Sequence, residues 1–225
     1  MSFARSFGIV AMVLAAVALY GRPAVAAPIY FADRTTFEAA TDSTVVEDFL
    51  GFANGVTDNL GSGFVSNGIT FTQLTGTVVT QALLVVENNP FFGPGNTSHV
   101  LTDNRNDDYR LDFSTTTRAV GFDTYLNNVN GSNQPATPEA IIEIFDLTDT
   151  LIDTFVLTHD HTQVGFFGVI ADVDIGAVRW TTTGGEFLNT GITNITQGDA
   201  VPEPGAVLLF GVGLIGLGWA RRRAA

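Results

Sequence analysis

The stretch from Val164 to Thr182 reads VGFFGVIADVDIGAVRWTT. It is rich in Val, Ile, Phe and Thr, which fit a half-buried pleated sheet. It divides into two candidate strands, Val164–Ala171 and Ile175–Thr182. In the second strand, alternation places Trp180 on the same face as Val178, so Trp180 is expected in the core rather than on an exposed sugar-stacking surface.

The same period of two continues on both sides of this stretch. The other candidate strands are Val45–Phe49, Gly68–Leu74, Thr77–Glu87, Tyr109–Phe113, Arg118–Leu126, Ala140–Asp146, Leu151–Leu157 and Phe187–Thr196. Turn-forming dipeptides lie between strands at Asn54-Gly55, Asn67-Gly68, Asn130-Gly131 and Gly184-Gly185. Many short strands separated by such turns predict an all-β fold, an antiparallel β-sandwich.

One short helix is expected before the strands. The segment Tyr30–Ala40 reads YFADRTTFEAA. Asp33 is a suitable N-cap, and the spacing would turn Phe37 and Ala40 toward the protein interior.

The N-terminal segment, residues 1–26, has the pattern of a secretory signal peptide. A short basic region, Met1–Arg5, precedes an apolar or small run of 14 residues at Phe7–Tyr20. Ala24 and Ala26 then supply the small residues that signal peptidase accepts. The alternative is an N-terminal membrane anchor, but the run is shorter than the ~20 residues that a membrane span needs. We expect cleavage after Ala26.

The C-terminal segment, residues 201–225, has three parts. Pro202, Glu203 and Pro204 form a stiff element, since each proline fixes its own φ and disfavours helix in the residue before it. Gly205–Ala220 is an uncharged run of 16 residues, which predicts a transmembrane helix. A basic cluster then holds that end on the cytoplasmic side of the inner membrane; it consists of Arg221, Arg222 and Arg223.

This three-part tail resembles the PEP-CTERM sorting signal. The resemblance implies that the chain is a substrate of an exosortase, which would act on a precursor anchored in the inner membrane. It also implies an exported protein at the cell surface or in the extracellular matrix of a bacterium that makes exopolysaccharide.

The body resembles the jelly-roll-like ectodomains that often accompany such a tail. The likeness lies in three stretches, YFADRTTFEAA, AVGFDTYL and GFFGVIADVDIGAVRW. It implies a β-sandwich and no particular activity.

The expected ectodomain, Ala27–Ala200, is strongly acidic. It has 174 residues, with 22 acids against five Arg and a net charge of −17. Such a surface repels nucleic acid and other polyanions, so we expect no nucleic-acid partner. The chain has no Cys, which excludes disulfides, a thiol nucleophile and cysteine metal sites.

Two polar stretches are candidate metal sites. Residues 103–108 read DNRNDD, and Asp103, Asp107 and Asp108 could supply oxygen ligands to a structural calcium ion; the alternative is a solvated acidic loop. His159 and His161 could share one strand face and hold a metal, but they fall between two candidate strands, which favours a solvated turn.

The third histidine of the chain, His99, is expected in a loop.

Catalytic signatures are weak. There is no Gly-x-Ser-x-Gly elbow. With 22 acids, a chance carboxylate pair at glycosidase spacing carries no weight. We therefore expect a non-enzymatic surface or matrix protein, with exopolysaccharide as its candidate ligand. The alternative is a secreted glycan-active hydrolase or lyase.

Changing Pro202, Glu203 and Pro204 to alanine should leave the chain in the inner membrane, because Gly205–Ala220 and the Arg cluster would still anchor it. Fractionation of the host cells checks this. Normal processing of the triple variant would contradict the assignment.

Overall fold

A computed structural model describes residues 26–52, 58–59, 63–74, 83–87, 99–103, 108–128, 139–158, 164–183 and 188–201. These residues form one helix, α1, and antiparallel strands joined into a continuous sheet. The helix spans Arg34–Ala40. The strands are β1 Ile29–Phe31, β2 Thr44–Glu47, β3 Asp58–Asn59, β4 Gly63–Ser66, β5 Ile69–Gln73, β6 Leu83–Glu87, β7 His99–Asp103, β8 Tyr109–Asn128, β9 Glu139–Asp146, β10 Leu151–Thr158, β11 Gly165–Thr183 and β12 Leu188–Gly198.

Two long strands organise the sheet. β8 has 20 residues and β11 has 19, and they pair along both halves with register shifts between Ile170 and Ala177. Because each strand continues past this irregularity, each takes part in two layers. The two layers pack face to face as a β-sandwich, which confirms the predicted fold class.

The front layer contains the second half of β11 and the first half of β8. Its strand order is β10-β9-β11-β8-β5-β4. The back layer contains the other halves of β11 and β8. Its order is β1-β11-β8-β12-β7-β6-β3, and β2 also pairs with β12.

Trp180 is the centre of the core between the layers. Its side chain is fully buried, which confirms the prediction. From the front layer it contacts Phe122 of the back layer, with ring centroids 6.1 Å apart. Its indole N–H donates to the Thr190 hydroxyl at 3.1 Å, so the ring is buried without leaving its polar atom unsatisfied.

A second, smaller core lies on the outer side of the back layer, under α1. Asp33 caps the helix by accepting from the Thr36 amide at 2.9 Å, as predicted. Phe37 is fully buried against Ala119, Phe166 and Ile170, and Ala40 packs at the margin of this cluster.

A glycine pair makes room for Phe37. Gly121 and Gly168 are direct partners in the β8–β11 register. A Cβ on Gly168 would lie 2.7 Å from Phe37 and 2.8 Å from Phe166. The helix can therefore lie close to the back layer only because no side chain projects at this position.

The predicted strands are recovered with several differences. The pairs of candidate strands around Ser114–Thr117 and around Asp172–Asp174 are single strands, β8 and β11, which pair with each other on both sides of the register shifts. His99 lies in β7 and is buried, so its placement in a loop was wrong. The sequence-based prediction missed β7 and three shorter strands, β1, β3 and β4, which have only two to four residues.

The turn prediction at Asn67-Gly68 is confirmed. Both residues have positive φ, 47° and 79°, and they join β4 to β5 as the favoured two-residue hairpin turn. The other predicted turn dipeptides lie outside the described residues.

Neither end segment is described beyond its junction with the domain. Residues 1–25 and 202–225 lie outside the described residues; they contain the predicted signal peptide except Ala26, and the predicted transmembrane helix. Within the described ranges, no helix is long and apolar enough to cross a membrane.

Replacing Gly168 with alanine should destabilise the full-length protein by about 1–3 kcal/mol, because the added methyl group overpacks the Phe37 cluster. Gly51→Ala is the matched control, since a Cβ there meets nothing within 4 Å. Thermal or urea unfolding measures both. Equal stability of the two variants would contradict the packing described here.

Candidate ligand-binding face

The outer side of the front layer is an open sheet surface, here called the front face. Its strands alternate between core residues such as Ile142, Ile144 and Val178 and outward residues such as Glu143 and Arg179. Helix α1 packs against the back layer instead, so no described helix covers the front face.

A row of polar side chains crosses this face, perpendicular to the strands. Strand register places in line the outward residues Thr154, Glu143, Arg179, Arg110 and Thr72, here called the charged row. With strands about 4.8 Å apart, five strands in line extend over about 19 Å.

Arg110 and Arg179 are direct cross-strand partners, an arrangement that would be unfavourable if both charges were unpaired. Each guanidinium instead turns toward carboxylates. Arg110 pairs with Asp112 at 2.8 Å and with Asp149 at 2.7 Å, and it lies 5.1 Å from the centre of the Phe145 ring. Burial opposes its charge, but the hydrogen bonds to the two aspartates outweigh burial and raise the pKa of Arg110 above its ordinary value.

Arg179 pairs with Glu143, with 3.2 Å between Nη1 and Oε2. The two side chains are 38% and 26% exposed, so ligand atoms can reach both. The Nε–H of Arg179 is buried and has no acceptor within the described part of the chain. That buried donor is not accessible to a ligand, but a guanidinium has five N–H groups and a carboxylate has several acceptor sites, so the exposed part of the pair retains hydrogen-bonding capacity beyond the Nη1–Oε2 contact.

Apolar side chains flank the charged row on both sides. On one side Val156 is 52% exposed and lies opposite Ile141. On the other side Leu151 is 48% exposed and lies opposite Phe145. At its β9–β10 end, the charged row therefore lies between apolar side chains, whereas Thr181, Asp112 and Thr70 occupy the flanking rows farther along the face.

The β9–β10 turn borders this face and is held by its own hydrogen bonds. The Asp146 carboxylate accepts from the backbone amides of Thr148 and Thr150 and from the Thr148 hydroxyl at 2.7–2.9 Å. The backbone bond from Thr150 and the side-chain bond from Thr148 lower the pKa of Asp146. Asp149, the Arg110 partner, belongs to the same turn.

A second polar region lies where the two ends of the domain meet. Thr116, Arg118, Asp174, Asp199 and Ala200 line a cleft of about 330 Å³. Arg118 binds Asp174 at 3.0 Å, which supplies counter-charge to one of the acids near the β11 bend. No aromatic side chain is among these lining residues.

Both junctions with the end segments are fixed near this cleft. The backbone N–H of Ala26 donates to Asp172 at 3.0 Å. Asp199 exchanges hydrogen bonds with Asp42, and the Val201 N–H donates to the Ala40 carbonyl at 3.0 Å.

Most sequence-predicted site residues lie outside the described ranges. This holds for Ala24, Pro202, Glu203, Pro204 and the Arg cluster, and also for His159 and His161. Their assigned roles, including cleavage after Ala26, stay predictions.

The calcium prediction also stays open. Asp103 ends β7 and Asp107 lies outside the described residues. Asp108 precedes β8, where its carbonyl accepts from the Leu74 amide at 3.0 Å. Among the described side chains, no group of three His, Cys, Asp or Glu is placed to hold a metal ion.

The front face was missed in the sequence reading. Alternation alone could have placed Glu143 and Arg179 on outer faces of their strands. It could not have shown that they are neighbours, because residues 36 apart come together only through the β9–β11 register.

Comparison with known proteins identifies the tail. The PEP-CTERM protein-sorting motif matches residues 200–223, which confirms the predicted signal. That signal marks the chain as an exported, exosortase-sorted surface protein that is processed at the membrane. No curated protein is similar enough to the chain to count as a relative.

Several solved structures are weakly similar to the fold. TmCBM61 in complex with beta-1,4-galactotriose has a TM-score of 0.37 and 11% identity, covering 58% of this chain and 88% of that one. A family 29 carbohydrate-binding module complexed with cellulohexaose has a TM-score of 0.34 and 12% identity, covering 72% and 93%. An arabinose-bound α-L-arabinofuranosidase, MgGH51, has a TM-score of 0.38 and 8% identity, covering 68% and 28%. Similarity this low assigns neither a ligand nor an activity to this chain.

Replacing Arg110 with glutamine should loosen the β9–β10 turn, because Asp149 loses its partner in β8. We expect amide hydrogen exchange at Thr148–Thr150 to accelerate by up to about fivefold, since a partly exposed ion pair contributes at most about 1 kcal/mol. Arg118→Gln is the control and should leave these amides unchanged. An equal effect of both variants would contradict the role of the Arg110–Asp149 ion pair in holding the turn.

Proposed function

We propose that this protein is a non-enzymatic component of the bacterial surface or extracellular matrix, and that its β-sandwich binds exopolysaccharide through the front face. The sorting signal supports the location. The arrangement of the front face supports the ligand.

The observation that carries the proposal is the Glu143–Arg179 pair of the charged row, with exposed apolar side chains beside it on β9 and β10. A sugar ring presents hydroxyl groups around its edge and C–H groups on its faces. Hydroxyls can donate to Glu143 and accept from Arg179, while the C–H faces can contact Val156 and Ile141. An extended row also suits a polymer, which can make the same contacts with successive sugar units.

The charges of the face favour binding over hydrolysis. Glycoside hydrolysis requires one carboxylic acid that donates a proton and a second carboxylate that acts as nucleophile or base. Here Glu143 is paired with Arg179, and Asp112 is paired with Arg110. Groups paired in this way are fixed hydrogen-bonding partners, which suits recognition.

Full-length protein with both Glu143→Ala and Arg179→Ala should lose at least about tenfold in affinity for polysaccharide isolated from the host matrix, equivalent to about 1.4 kcal/mol. Affinity electrophoresis of the full-length chain in detergent, through gels containing that polysaccharide, provides the measurement.

The matched control is the double variant Arg118→Ala, Asp174→Ala, which removes an ion pair of the same kind from the cleft near the chain ends. Its affinity should stay within about twofold of the parent, and unfolding curves should show that both variants are folded. Equal binding by parent and front-face variant would refute the proposed site.

A further inference from the structure

The front face carries guanidinium groups but no excess of positive charge. Among the described residues its cations are Arg110 and Arg179, and their carboxylate partners are Asp112, Asp149 and Glu143. The cluster is therefore slightly negative, with three acids against two bases. An anionic ligand would have to displace a carboxylate of the protein before it could pair with either arginine.

The charge of the surrounding protein is also negative. The exported part has a net charge of −17. Two of its other arginines are also bound to carboxylates, Arg34 to Asp123 at 2.9 Å and Arg118 to Asp174 at 3.0 Å. A polyanion approaching this surface meets long-range repulsion that only salt or divalent cations would reduce.

Uncharged hydroxyl groups are not repelled by this negative charge and need not displace a carboxylate. A hydroxyl can donate to a carboxylate and accept from a guanidinium at once, without breaking the ion pair between them. The Glu143–Arg179 pair offers both functions within one contact, and both side chains are partly exposed.

We infer that the ligand of the front face is a neutral polysaccharide, read through its hydroxyl groups by the Glu143–Arg179 pair, and that uronate-rich chains are excluded. This rests on the proposed function and specifies its ligand class.

The test separates host matrix polysaccharide by anion exchange into a neutral fraction and an acidic fraction. Binding of the full-length protein to each is measured with EDTA present, at low and at high sodium chloride. We expect binding to the neutral fraction to change less than about twofold with salt, because no net charge is neutralised. Binding to the acidic fraction should be at least about tenfold weaker, and chemical reduction of its carboxyl groups should raise it.

The variant Glu143→Gln tests whether this carboxylate selects the ligand. A variant that merely weakened the fold would lower the affinity for both fractions. Removing this carboxylate leaves Arg179 without its partner. Affinity for the neutral fraction should fall at least about fivefold, while affinity for the acidic fraction should rise and become salt-dependent. Asp174→Asn is the matched control and should change neither.

Preferential binding of the parent protein to the acidic fraction, lost on carboxyl reduction and reduced by Arg179→Ala, would overturn the inference and leave the proposed function standing. Binding to neither fraction would refute the proposed function itself.

Discussion

The structure depends on the pairing of β8 with β11. Both strands run through both layers, and the other described strands join the sheet through them or through their neighbours. Trp180 and Phe122, one from each strand and each layer, meet in the core. Because the chain has no cysteine, the layers are held together by this burial and by main-chain hydrogen bonds instead of disulfides. At about 174 residues a domain of this kind can bury most of its chain surface, so a packed core suffices.

The shortage of basic residues shapes the rest of the surface. The four described arginines of the exported part all bind carboxylates, and most of these pairs join different elements. Arg34 ties α1 to β8, and Arg110 ties β8 to the β9–β10 turn. Basic groups therefore act as internal links, while the unpaired acids give the domain its negative field. That field is the physical reason why we infer a ligand without net negative charge.

The helix cap, the turn and the buried face of a single strand were predictable because each depends on a few residues that are close together in the sequence. The Asp33 cap of α1 and the Asn67-Gly68 turn follow from side-chain geometry and from tolerance of positive φ. The burial of Trp180 follows from alternation with Val178 within one strand. The short strands β1, β3 and β4 were missed because two to four residues carry too little periodicity. Ser114–Thr117 and Asp172–Asp174 resemble connections between strands in the sequence, yet β8 and β11 continue through them and pair on both sides of the register shifts.

By itself, the sequence determined the strand-rich class, the acidic surface and the sorting signal, whose three parts are contiguous and need no folding to be recognised. The tertiary structure alone decided which outward residues share a face. Glu143 and Arg179, or Arg110 and Asp149, are far apart in the chain and meet through strand register and a turn. Register depends on the fit of both layers around the shared core, which no single segment encodes. The candidate site is therefore a property of the packed sandwich.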